Sequence, residues 1–173
     1  LRHRAVYQRT LRGTIAVLLV VAAISVLVAT LWMPVLQIYG SSMSPTLEAG
    51  QIVVSVKTNQ LKTGEVVAFW QGNKLLVKRV IAGPGQWVDI DMDGNVTVDG
   101  KELTEDYLDV KALGNCDVEL PHQVEESRWF LMGDNRDVSV DSRSAAIGDV
   151  SKDQIEGKIV FRIWPLKEFG SIQ

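Results

Sequence analysis

The residues able to do acyl and proton chemistry fall in three short segments. The first, Ser41-Ser42-Met43-Ser44-Pro45-Thr46-Leu47, is polar and sharply turning. The second is Leu75-Leu76-Val77-Lys78-Arg79-Val80-Ile81, an apolar strand pattern broken by two cations. The third runs Gly133-Asp134-Asn135-Arg136-Asp137-Val138-Ser139-Val140-Asp141-Ser142-Arg143. Histidine is nearly absent, with only His3 and His122 in the chain. A Ser-His-Asp arrangement would have to be built on His122 alone, behind Pro121 in a polar stretch without strand patterning. A reacting serine therefore calls for a different base.

Lys78 is the candidate. Side chains alternate along a strand, so Lys78 shares a face with Leu76 and Val80, and Arg79 shares one with Val77 and Ile81. One of the two cations is expected to face the interior. Arginine does not give up its proton there, whereas desolvation pulls a lysine pKa down by several units. A neutral amine at working pH then accepts a proton from a serine hydroxyl. Taken alone, the segment reads more simply as an edge strand with two outward cations. The third segment leaves the apolar run Trp129-Phe130-Leu131-Met132 and is dense in charges and hydroxyls. That composition suits a hydrogen-bonded network at a strand end, and equally a solvated loop. Asp141 and Arg143, two apart, cannot share a helix face, but on a looped backbone they can brace separate parts of a site.

These segments must be positioned by the rest of the chain. Residues 14–33 carry no charge. As a helix at about 1.5 Å per residue they span roughly 30 Å, the thickness of a hydrocarbon core. A cleavable secretory signal is the other reading of such a start. The run exceeds the roughly 7–15 apolar residues of a signal's core and lacks a small-x-small exit, so a retained anchor is expected. Of 18 Lys and Arg, Arg2, Arg4, Arg9 and Arg12 precede the run with no acid beside them, leaving 14 against 21 acids. The positive-inside rule then puts residues 1–13 in the cytoplasm and residues 34–173 outside. Trp32 and Tyr39 suit the outer interface. An acidic exterior argues against nucleic acid as a partner. A single cysteine, Cys116, excludes an intrachain disulfide and a multi-cysteine metal site.

The exterior residues suffice for one core, and their texture is β. Residues 51–56, 65–70, 75–81 and 158–164 are rich in β-branched and aromatic side chains. Ala49-Gly50, Thr63-Gly64, Gly83-Pro84-Gly85 and Pro165 bound them. Residues 89–99 read as a hairpin turning at Asp93-Gly94, and one short helical turn is expected near residues 151–156. The polar stretch 99–127 looks like an insertion. Asp89-Ile90-Asp91-Met92-Asp93-Gly94 imitates half a calcium loop, but Gly100 stands where a bidentate Glu is required, and strands rather than helices flank it.

In series, the three segments resemble the bacterial type I signal peptidases, the Ser/Lys membrane proteases that remove secretory leader peptides. The likeness runs from the anchor through residues 41–47, 63–70, 76–85 and 133–143 to residues 157–165. It implies that Ser42 is the nucleophile, Lys78 its general base, and Ser139 the residue that hydrogen-bonds and orients the lysine. Asp141 and Arg143 match a supporting ion pair. Gly40 stands where some members place a serine that helps hold the oxyanion, and Val138 stands where an Asn is usual. The implied fold is mainly β, an antiparallel β-sheet catalytic domain with one N-terminal transmembrane helix and a small β insertion at about residues 89–128. The implied site is the outer face of a bacterial cytoplasmic membrane, reached by a single-pass chain with its N-terminus inside. Substrates are preproteins with Ala-x-Ala-type cleavage sites, and neither metal nor organic cofactor is implied. A self-cleaving Ser/Lys repressor is the nearest rival, but it would carry a DNA-binding domain where this chain has its apolar run. An inactive membrane-tethered binding module of the same fold is the alternative from another class. Retention of Ser42, Lys78 and Ser139 together argues against it.

Overall fold

A computed structural model describes residues 2–58 and 60–172, with the side chains of residues 2–7, 9 and 29–32 outside the description. The chain divides into two units, residues 1–34 and residues 35–173. The first is the helix α1, Arg2–Trp32. It is longer than the apolar run and takes in the basic residues ahead of it. Its stretch Thr10–Val28 has a mean hydropathy of 2.5 and is long and apolar enough to cross a membrane. Two hydroxyls within it fold back onto the helix: Thr14 Oγ1 donates to the Thr10 carbonyl at 3.0 Å and Ser25 Oγ to the Val21 carbonyl at 2.8 Å. Neither is left to seek a partner in an apolar surrounding.

The second unit is antiparallel β throughout. Its strands are β1 Val35–Gln37, β2 Ile52–Val56, β3 Val66–Gln71, β4 Lys74–Ala82, β5 Trp87–Ile90, β6 Val96–Val98, β7 Lys101–Glu102, β8 His122–Gln123, β9 Arg128–Met132, β10 Val150–Ser151, β11 Ile155–Trp164 and β12 Gly170–Ser171. Among the described residues, one sheet has the order β1-β2-β11-β3-β4-β9-β10, with β12 beside β11. A smaller one has the order β7-β6-β5-β8. A 3-10 turn, Lys152–Gln154, lies within the expected helical stretch.

The pattern of burial explains the strands. In β3, Val66, Val67, Ala68 and Phe69 are all buried, because both faces of the large sheet are covered. Val66 and Ala68 pack with Ile38, Met43, Leu47, Val53 and Ile159. Val67 and Phe69 pack with Val80, Trp129, Leu131 and Val150. A tight hairpin joins β3 to β4, and Gly72, at φ 57°, supplies the positive φ that its first turn position favours. Bulges in β11 between Ile155 and Gly157, Ile159 and Phe161, and Arg162 and Trp164 re-aim that strand.

One sequence reading changes here. β4 is an edge strand only in its first half, since β3 flanks it on one side and β9 covers the other from Arg79 onward. The small sheet also has no core of its own: Val88, Ile90, Val96 and Val124 pack with Ile81, Ala82, Phe130 and Met132 of β4 and β9. Alternation along β5 and β6 sends Val88, Ile90, Val96 and Val98 to one face and leaves Trp87 exposed. They must borrow the other half of a core from the large sheet.

Candidate active site

The turn carrying Ser42 is held by its own apolar residues. Met43 and Leu47 are buried in the core beneath it, and the Leu47 N–H donates to the Met43 carbonyl at 2.9 Å. Ser42, between them and the exposed Ser41, is half-buried. β4 brings Lys78 to it. In the β3–β4 ladder Lys78 lies opposite Val67 and Arg79 opposite Val66. Lys78 Nζ stands 2.6 Å from Ser42 Oγ, a hydrogen-bond contact between residues 36 positions apart.

Lys78 is only 3% exposed. Burial pulls its pKa from 10.5 down to about 8, with the Asp141 and Asp134 carboxylates pulling back upward and Arg143 adding to the fall. The amine is thus neutral in a useful fraction of molecules near neutral pH.

The expectation that only one of the paired cations would turn inward is corrected, because Arg79 is 1% exposed. It avoids the cost of burial by being fully bonded. Its Nε and Nη2 reach the two oxygens of Asp134 at 2.9 and 2.7 Å, its Nη1 reaches the Gly64 carbonyl at 2.6 Å, and Nη2 also contacts Thr46 Oγ1. Such a fork-to-fork pair is the arrangement that makes a buried charge tolerable.

The loop between β9 and β10 supplies the rest. Arg143 binds Asp141 through Nε and Nη2, each at 2.9 Å, and spends its remaining donors on the carbonyls of Leu113 and Arg136. Burial pushes the Asp141 carboxyl up, but the Arg143 guanidinium and the Gly133 N–H outweigh it and hold the pKa below the ordinary carboxylate range. Asp141 Oδ2 accepts that Gly133 N–H at 2.9 Å. The Asn135 N–H donates to the Ser42 carbonyl at 3.1 Å, tying the loop to the serine turn. Gly133 has to be glycine, since a Cβ there would overlap both Ser139 and the Ser42 carbonyl.

Ser139 sits inside this network, buried, with its hydroxyl beside the Asp141 carboxylate, whose pKa it helps to lower. The lysine bond implied for it by resemblance is absent. The backbone anchors this residue through the Ser139 N–H to the Asn135 carbonyl, at 3.0 Å.

Ser42 and Lys78 open onto a cleft of about 520 Å³ lined by residues that include Val35, Leu36, Ile38, Leu75, Leu76 and Val77. β1 forms one side, with an edge that no strand covers among the described residues. The first half of β4 forms the other, since β9 pairs with β4 only from Arg79 onward.

Sequence reasoning missed Asp134 and Thr46 as partners of Arg79, Glu105 as a partner of Arg136, and Tyr107 over Arg79. Their partners are remote in the chain, and no local pattern announces them.

A family profile described as signal peptidase, peptidase S26, matches residues 11–164. Signal peptidase IB of Staphylococcus aureus strain COL is 39% identical over 153 residues, covering 76% of this chain and 78% of that one. Signal peptidase I of Bacillus licheniformis is 32% identical over 169 residues, covering 88% of each chain. A solved signal peptidase I from Enterococcus faecalis V583 overlaps 59% of this chain and 98% of its own, at 25% identity and a TM-score of 0.48.

Proposed function

The chain belongs to the signal peptidase family, peptidase S26, and from that premise we propose that it is a membrane-tethered serine endopeptidase removing N-terminal signal peptides from preproteins. The observation that carries this reading is the 2.6 Å contact between Ser42 Oγ and a buried Lys78 Nζ. The neutral amine takes the hydroxyl proton along that line as Oγ attacks the scissile carbonyl. The lysinium then protonates the departing amine, and the signal peptide stays on Ser42 as an ester. Water, deprotonated by the same lysine, hydrolyses it and restores the serine. The Ser42 N–H is the donor proposed for the oxyanion. Asp141 and Arg143 act by holding Gly133 and the loop, not by touching substrate, and Ser139 packs against Gly133 beside them.

The cleft supports an extended substrate. A peptide strand laid between β1 and the first half of β4 finds unpaired backbone edges on both sides. Its alternate side chains would meet Leu36, Ile38, Leu75 and Val77, a shallow apolar lining that suits the small residues of an Ala-x-Ala site. Helix α1 supports the tether by its length and hydropathy. The basic residues before the apolar run support an orientation with the N-terminus in the cytoplasm and the catalytic unit outside. The bilayer is then a partner because the substrate's own apolar segment is in it.

The test is cleavage of a preprotein bearing an Ala-x-Ala site by detergent-solubilised wild type, Ser42→Ala and Lys78→Ala, with folding checked by circular dichroism. Cleavage by the wild type alone is expected. A Ser42→Ala variant that still cuts at the same bond would overturn the reading.

A further inference from the structure

The segment between β7 and β8 lines none of the cleft, yet it reaches into the loop that supports the reacting pair. Glu105, 5% exposed, grips Arg136 with both carboxylate oxygens, at 2.5 Å to Nη2 and 3.4 Å to Nη1. Arg136 turns its remaining Nε to the Gly133 carbonyl at 3.0 Å. At Gly133 the loop lies against Ser139 and the Ser42 carbonyl, with no room for a Cβ. Tyr107 Oη donates to Glu105 Oε1 at 2.9 Å, and its ring lies 3.8 Å from the Arg79 guanidinium that holds Asp134. Burial and the Glu105 carboxylate raise the phenol's pKa well beyond its ordinary range, so it stays a donor. An ion pair this deep adds little net stability over apolar residues of equal volume. Its geometry is the more telling feature, because it fixes one end of Arg136 so that the other can hold Gly133.

We propose that Glu105 and Tyr107 are positioning residues for the Ser42–Lys78 reaction, holding Gly133 through Arg136 and Asp134 through Arg79. The proposal rests on the peptidase reading. It makes the small sheet's connecting segment a working part of catalysis rather than an appendage.

The experiment compares Glu105→Gln, Tyr107→Leu and the double variant Glu105→Met/Arg136→Met with the full-length enzyme, using the same preprotein. In Glu105→Gln and Tyr107→Leu, kcat is expected to fall by up to about 100-fold with KM unchanged, the size of effect that an ångström of misplacement produces. The pH midpoint of kcat should move up from about 8 toward 10.5 as water reaches Lys78. Loss of the Glu105 charge alone would move it down. The double variant has no uncompensated charge and should unfold near the wild-type temperature, yet its kcat stays low because Arg136 no longer holds Gly133. The proposal is overturned if the single variants keep wild-type kcat and pH midpoint, or if the double variant regains activity along with stability. Where Glu105→Gln fails to fold, the double variant decides. Cleavage that survives Ser42→Ala would instead sink the peptidase reading, a separate outcome.

Discussion

Lys78 concentrates the account at the scale of single residues, because the burial that makes it a base also costs stability. Its pKa is about 8 in the folded chain against 10.5 in a free side chain. Catalysis through a neutral amine therefore rises with pH through about 8. The same shift means that the unfolded chain binds the extra proton between those two values. The stability deficit is thus complete below about 8 and fades as pH climbs to 10.5. Replacing Lys78 by Met should stabilise the fold near neutral pH by on the order of 3 kcal/mol, at about 1.4 kcal/mol per pKa unit. The gain should vanish by pH 10.5, which thermal unfolding of the two proteins across that range measures. Lys78 stood out by residue type and strand pattern, whereas the roles of Ser42, Ser139, Asp141 and Arg143 came from resemblance to the family. The partners of Arg79 and Arg136 could not be named from the sequence. Asp134 lies 55 positions from Arg79 and Glu105 lies 31 from Arg136, separations over which only the folded topology makes neighbours.

Among elements, β4 and the loop after β9 do most of the positioning. β4 was legible as a strand from its short run of apolar and β-branched residues bounded by turn signals, but its place in the sheet was not. An edge strand tolerates Lys-Arg by pointing both to water. Buried in the sheet, the two must find partners: Asp134 of the β9–β10 loop bonds Arg79, and Lys78 meets Ser42 Oγ. That loop's composition left a network and a solvated surface equally open, because charge density says nothing about partners. It is tightly packed at Gly133, where a side chain would strike Ser139 and the Ser42 carbonyl. Gly133→Ala is therefore expected to abolish cleavage while leaving the strand content of the circular dichroism spectrum intact. Wild-type rates in that variant would mean that the loop sits elsewhere in the working enzyme.

For the whole molecule, the chain's two units have different work. Among the described residues, the apolar clusters of the second unit are built from side chains between Leu36 and Ile172. A protein beginning at Val35 should therefore fold and cleave a short soluble peptide, with a much reduced rate on preproteins in vesicles. Equal loss on both substrates would show that the helix serves the fold. The small sheet was read as an insertion because its sequence is polar and acidic. The shared core and the Glu105 contact, visible only in three dimensions, join it to the catalytic sheet. The central claim is that Ser42 carries the acyl group, and the most direct measurement is the mass of the enzyme quenched in acid during a single turnover. The prediction is an increment equal to the released signal peptide less water, mapping to the peptide that contains Ser42 and missing in Lys78→Ala. An increment on another residue, or rapid cleavage with no covalent species under conditions that trap a known acyl-enzyme, would contradict it.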